Sequence, residues 1–175
     1  GGINFMEIAY PKVNLTRINL DDDNIIKELN KRMILVYLGS HSSSKMHKAV
    51  IKNYEKGDKN TLESFEILKK CAYEMKKTLE VENIERVPEI MNENWNAQKN
   101  LHPLMMNDQI AFLEKIVFSN GGLALKCNGA GGGGSVTIFS DIHKEDKLKH
   151  VLIKNKFRVL PFSLNFGGVE ISKDP

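Results

Sequence analysis

The sequence predicts an α+β domain in which helices pack on an antiparallel sheet. Three observations carry that expectation: extended apolar stretches open the chain, apolar residues at three- and four-residue spacing fill its middle, and short strand-like segments return at its end.

Ile3–Ile8 (INFMEI) and Val13–Ile18 (VNLTRI) alternate loosely between apolar and polar residues, as strands do. Asp21–Asn24 (DDDN) supplies carboxylates to the positive end of a short helix over Ile25–Leu29. Arg32–Leu38 (RMILVYL) is an apolar run closed by Gly39, the pattern of a strand covered on both faces. Met46–Tyr54 reads as a short helix. Asn60 or Thr61 caps the next helix, whose apolar stripe is Leu62, Phe65, Leu68, Ala72, Met75 and Leu79, with Lys69, Lys70, Glu74, Lys76 and Lys77 facing water. Ile84, Val87, Met91, Trp95 and Gln98 make a second stripe. Ile110, Leu113, Ile116 and Val117 make a third, stopped by Asn120-Gly121-Gly122, because glycine accepts the left-handed backbone past a helix C-terminus. Leu123–Cys127 and Ser135–Ser140 read as strands, Glu145–Asn155 as a helix, and Phe162, Leu164 and Phe166 as a half-buried strand that Val169–Ser172 extends or pairs with.

At 175 residues the chain is long enough for one domain with a real core and short for two. A formal net charge of +3, with basic residues interleaved among acidic ones, argues against a nucleic-acid partner. Cys71 and Cys127 stand far apart, without a CxxC or Cys/His cluster; this opposes a disulfide scaffold or zinc site and fits a reducing cytoplasm. The longest apolar run, Met33–Leu38, is too short to cross a membrane, and no secretory signal opens the chain. The sequence begins Gly1-Gly2-Ile3 without an initiator Met, so we expect it to be the remainder of something longer.

The one low-complexity segment is the glycine run in Lys126–Phe139, KCNGAGGGGSVTIF. A tether would need independent domains on both sides, yet only a short stretch follows Gly134, and strand-like apolar residues run up to the glycines from both directions. The run is therefore expected to join two neighbouring strands of one sheet, or a strand to a helical turn. Residues without Cβ atoms let backbone N–H groups approach another surface closely, which suits a loop that cradles phosphate or presses on one that does. The pattern is neither GxxxxGK[ST] nor GxGxxG, because Lys126 precedes the glycines.

Those residues resemble the third conserved motif of the GHMP sugar kinases, in which a strand bearing a lysine leads into SGAGGGG and on into another apolar strand. The opening GGINFMEI, the passage RMILVYLGSHSSSKMHKAVI and the helix with EIMNENWNAQKNLHP resemble successive segments of the same family, nearest its heptose 7-phosphate kinase branch, in the same order. The resemblance implies a ferredoxin-like C-terminal domain over residues 1–175, cytoplasmic, from an enzyme that moves the γ-phosphate of ATP onto a sugar or sugar-phosphate hydroxyl at the anomeric position. ATP and Mg2+ would be bound mainly by an N-terminal domain, carrying the phosphate loop and catalytic Asp, that has no counterpart in this sequence. That domain, in the same chain or a separate one, is the implied partner, beside the sugar phosphate; this chain alone would be inactive. Loss of its interdomain face predicts an exposed apolar patch and association, including a homodimer. The competing expectation is a non-catalytic sugar-phosphate binding or assembly module.

The resemblance places Lys126, Asn128, Gly129, Ala130, Gly131, Gly132, Gly133 and Gly134 at the nucleotide and substrate cleft. Two departures stand out: Asn128 where the family usually has Ser, and Ser135 where a bulky apolar residue is common. From the residues alone, Lys126 reads more readily as a solvated strand-end lysine. His41 and Ser42–Ser44 follow a buried strand and precede a helix, a geometry that aims hydroxyls and N–H groups at an anion; helix capping explains one of those serines, not all. Gln98 and Lys99, just past Trp95, are candidate sugar contacts, whereas Trp95 itself reads as core. No candidate catalytic residue or metal ligand is read in this chain.

Overall fold

The computed structural model describes residues 1–40, 42–169 and 171. Among these, two sheets and six α-helices form an α+β fold. The first sheet is a hairpin of β1 (Ile3–Ala9) and β2 (Lys12–Ile18), pairing Met6 with Leu15 and Ile8 with Val13. Then come α1 (Asp23–Arg32) and β3 (Met33–Gly39), followed by four helices, α2 (Ser44–Glu55), α3 (Lys59–Glu80), α4 (Val87–Leu101) and α5 (Asp108–Ser119). The chain closes with β4 (Gly122–Cys127), β5 (Gly134–Ser140), α6 (Glu145–Lys154) and β6 (Arg158–Leu160).

The main sheet is antiparallel throughout, in the order β4-β5-β3-β6. With a helical block between β3 and β4 and one helix between β5 and β6, this is the split βαβ arrangement of ferredoxin-like folds. The fold class read from the sequence therefore stands, with one correction: the opening strands form a separate hairpin. The hairpin lies on α3, where Phe5 meets the Tyr73 ring with centroids 5.1 Å apart and the Glu7 carboxylate accepts from the Tyr73 hydroxyl at 2.8 Å.

Three further expectations are corrected. The cap of α3 is Asp58, whose carboxylate accepts from the Thr61 N–H at 2.9 Å, so neither Asn60 nor Thr61 fills that place. The face of α3 that disappears carries Thr61, Ser64, Cys71, Thr78 and Leu79, while Leu62 stays exposed. Small side chains let α3 lie close against α4, and close packing outweighs the burial of one leucine. In β3, Ile34 and Val36 are sealed, but Met33, Leu35 and Tyr37 on the other face are only half-buried.

Residues 161–169 alternate in burial, as Phe162, Leu164 and Phe166 predict, yet form no strand. The Leu164 N–H donates to the Asn30 side-chain oxygen at 2.6 Å, and the Asn165 carbonyl accepts from the Gly2 N–H at 2.7 Å, so these backbone groups pair outside a ladder. The expected extension over Val169–Ser172 includes Glu170 and Ser172, which lie outside the described residues.

The outward face of the hairpin is apolar and open: Met6, Ile8, Val13 and Leu15 are all more than half exposed, beside Tyr10 at the turn. A two-stranded ribbon with such a face associates unless it is covered. We expect light scattering to show a mass that grows with concentration, and an Ile8→Lys, Leu15→Lys double variant to remain monomeric over the same range.

Candidate functional site

The glycine run connects β4 to β5, adjacent strands of the main sheet, so it is a loop within one fold. Gly129, Gly131, Gly132, Gly133 and Gly134 all have positive φ. Gly131 is doubly fixed: at φ +80° a Cβ would also stand 2.8 Å from Met105 Sδ and 3.2 Å from Gln98 Nε2. The neck of the loop is closed by the two departures from the family pattern acting together. Asn128 donates its side-chain amide to Ser135 Oγ at 3.0 Å and accepts from Thr137 Oγ1 at 3.0 Å, while its own N–H donates to the Ser135 carbonyl at 2.9 Å. Asn128→Ser and Ser135→Val are each expected to cost about 1 kcal/mol, with the double variant costing less than the two added. Denaturant melts of the four chains measure this; strict additivity would refute the pairing.

The tip of the loop is held from the helical layer. The Gly132 N–H donates to the Met105 carbonyl at 3.1 Å, and Asn107 Nδ2 donates to the Gly132 carbonyl at 2.9 Å. Asn107 Oδ1 meanwhile accepts from the Ile110 N–H at 2.9 Å, capping α5. One residue thus fixes the helix start and the glycine loop to each other. The sequence reading passed over it, although an Asn directly before Asp108 and the apolar spacing of α5 is a cap signal.

Gln98 on α4, buried at 5% exposure, spends both ends of its amide here. Its Nε2 donates to the Gly129 carbonyl at 2.9 Å, and its Oε1 accepts from the Lys126 ammonium at 2.8 Å. Lys126 is half-buried, and burial pushes its amine below the ordinary lysine range. Of the positions singled out in the sequence, the fold therefore joins Gln98, Lys126 and the glycine loop. Lys99, one residue on, is turned toward α5: its ammonium sits 3.1 Å from Glu114 and over the Trp95 ring, whose N–H donates to the same carboxylate at 2.6 Å. Trp95 itself is 2% exposed and belongs to the core.

Ser42, Ser43 and Ser44 lead into α2. Ser43 occupies the cap position without a side-chain capping bond, and Ser42 and Ser44 place their hydroxyl oxygens 3.3 Å apart in solvent. His41 lies outside the described residues. His47, on the first turns of α2, reaches the rim of a cavity of about 460 Å3 between α2, α3, α4 and the glycine loop, which Lys126, Gln98, Gly129 and Ala130 also line. Cys127, next to Lys126, is fully buried, and burial pushes its thiol up to about 12, so it is no nucleophile at neutral pH. Among the described residues there is no group of three metal-ligating side chains, and no helix is long and apolar enough to cross a membrane.

The fold is similar to that of several kinases of solved structure. The chain matches a Campylobacter jejuni protein provisionally described as a sugar kinase, at 25% identity and a TM-score of 0.65, over 94% of this chain and 46% of that one. It matches a Leishmania major mevalonate kinase, solved in complex with R-mevalonate, at 16% identity and a TM-score of 0.70, over 88% and 45%. A D-glycero-D-manno-heptose 1-phosphate kinase from Bacteroides thetaiotaomicron matches at 19% identity and a TM-score of 0.64, over 94% and 42%. The chain thus spans less than half the length of each of these structures. No protein-family model and no curated protein matches it.

Proposed function

We propose that this chain is the C-terminal half of an ATP-dependent kinase of the GHMP group, working in the cytoplasm on a sugar or sugar phosphate. The observation that carries the reading is the glycine loop, KCNGAGGGG, fixed at the end of a β-hairpin in a fold that fills less than half of the matched kinases. The heptose 7-phosphate type of acceptor, phosphorylated at the anomeric hydroxyl, is the substrate that the sequence resemblance favours.

Phosphoryl transfer asks a protein mainly for positioning and electrostatic stabilisation. In this reading a partner N-terminal domain holds ATP and Mg2+ and supplies the phosphate loop and the catalytic Asp. The described residues fit the complementary role. Gln98, Met105 and Asn107 fix the loop of glycine backbone, and Ser42 and Ser44 stand with exposed hydroxyls, on either side of a half-buried Ser43, beyond the Gly39 end of β3, the end that pairs with Gly134. Their residue types suit contact with a phosphorylated sugar.

The test is reconstitution: the chain joined to the polypeptide encoded immediately upstream of it, assayed for ADP release with ATP, Mg2+ and a panel of sugars and sugar phosphates including heptose 7-phosphate. Turnover that depends on both halves and falls on Gly131→Val supports the reading. A fully folded two-half assembly with no turnover on any acceptor overturns it in favour of a binding module.

A further inference from the structure

The cavity beside the glycine loop does not have the lining of a sugar site. Its walls are Val50 and Ile51 from α2, Phe65 and Leu68 from α3, and Leu101 and Met105 beyond them, so most of its surface is hydrocarbon. Hydroxyl-rich rings need donors and acceptors on most sides, whereas burying alkyl groups in such a pocket gains about 0.8 kcal/mol per CH2. Two polar features break the apolar surface. Lys126 brings a half-buried ammonium whose partner is a neutral amide oxygen, an expensive arrangement that an anion would relieve. The other is the Asn94 side chain, whose oxygen is sealed away from the cavity.

We infer that this cavity is a binding site for an aliphatic monocarboxylate: its carboxylate pairs with Lys126, and its hydrocarbon chain lies among Val50, Phe65, Leu68, Leu101 and Met105. One amine matches a carboxylate, whereas a phosphate monoester carries nearly two charges and three strong acceptor oxygens against the single ammonium of Lys126. The same pairing makes the site a regulatory contact. The Lys126 ammonium has three N–H donors and spends one on Gln98 Oε1, so a bound carboxylate joins the group that holds the Gly129 carbonyl, and occupancy tightens one of the clamps on the glycine loop. Binding to this cavity needs no kinase activity, and its test is independent of the reconstitution above.

The experiment is calorimetric titration of the chain with decanoate, 3-hydroxydecanoate, decanol and inorganic phosphate, all below micelle-forming concentrations, with hydrogen exchange of the loop amides as a second readout. We expect decanoate and 3-hydroxydecanoate to bind alike, and phosphate to bind at least tenfold more weakly than either. Lys126→Met should weaken decanoate at least tenfold while leaving decanol unchanged. Should that variant fold poorly, Ile51→Glu, a change at a half-exposed rim position, serves the same end by placing a carboxylate at the mouth and expelling decanoate. Bound acid should slow exchange at Gly129–Gly132. Decanoate binding that survives Lys126→Met and Ile51→Glu, or that disappears only on Ile8→Lys in the hairpin, overturns the site; unchanged loop exchange at saturation overturns its coupling to the loop.

Discussion

Replacing Gly122 with alanine lowers the thermal midpoint by roughly 6–12 °C, the shift that about 3 kcal/mol produces in a chain of this size. Gly122 opens β4 directly after α5, and a Cβ there would stand 2.1 Å from Val117 Cγ1 and 2.9 Å from the Val117 carbonyl. Val117 is fully buried in the core that joins α5 to the main sheet, so it has no free direction in which to retreat. The obstacle is steric and sits partly on backbone, which is why the loss exceeds that of an ordinary glycine exchange. Gly57→Ala is the control: its φ is +69° but nothing lies within 4 Å of the added methyl, so only the left-handed backbone is penalised, by about 1 kcal/mol. Calorimetric melts of both variants decide the matter. Equal losses at the two positions would show that Val117 yields and that the contact is soft.

Arg32→Ala is expected to cost a comparable amount, about 3 kcal/mol, by a different route. Arg32 ends α1 at 1% exposure, with its guanidinium 4.5 Å from the centre of the Phe139 ring. Its Nε donates to the Ser140 carbonyl at 3.0 Å, Ser140 Oγ donates back to the Arg32 carbonyl at 3.1 Å, and Nη1 meets Glu28 and Glu85. Removing the side chain strips a buried carbonyl of its donor and leaves a cavity beside Phe139. The two carboxylates are partly exposed and regain water, which keeps the cost below that of an abandoned buried charge. Arg32→Lys should recover less than half of the loss, because a lysine keeps the charge without the planar fork that reaches Ser140 and the acids at once. Full recovery by lysine in urea melts would reduce Arg32 to a simple point charge.

The contrast between those two residues shows what was legible in the sequence. Gly121-Gly122 announced a helix stop through chemistry confined to neighbouring positions, and α5 does end at Ser119, with Gly121 at a φ of +90°. Asp22 likewise caps α1 as the acidic cluster foretold, accepting from the Asn24 N–H at 2.7 Å. Arg32 gave no such signal, since its partners lie far along the chain and only the closed sheet brings them together. The candidate site divides in the same way. The glycine run and Lys126 were visible as a local pattern, whereas the amide of Gln98 that ties them together depends on α4 crossing beneath β4. The stripe of α3 was read in part: Phe65, Leu68, Met75 and Leu79 do pack inward, but periodicity records only which residues are apolar, and close helix contact also buries small ones such as Ser64, Cys71 and Thr78 while Leu62 and Ala72 stay exposed.

The sheet order also governs the sequence of events in making the protein. β3 is flanked by β5 and β6, both of which are encoded after the whole helical block, and the Arg32–Ser140 contact at its base closes a separation of 108 residues. A ribosome therefore releases the apolar segment MILVYL long before either neighbouring strand exists. Helices α2 to α5 can form meanwhile from local contacts, but the middle of the sheet must wait with both edges bare, and closing so long a loop is slow. Yield in the cell is consequently set by how well β3 is shielded during that interval, so holding chaperones and slower growth temperature should raise the soluble fraction more than changes to any residue on the finished surface.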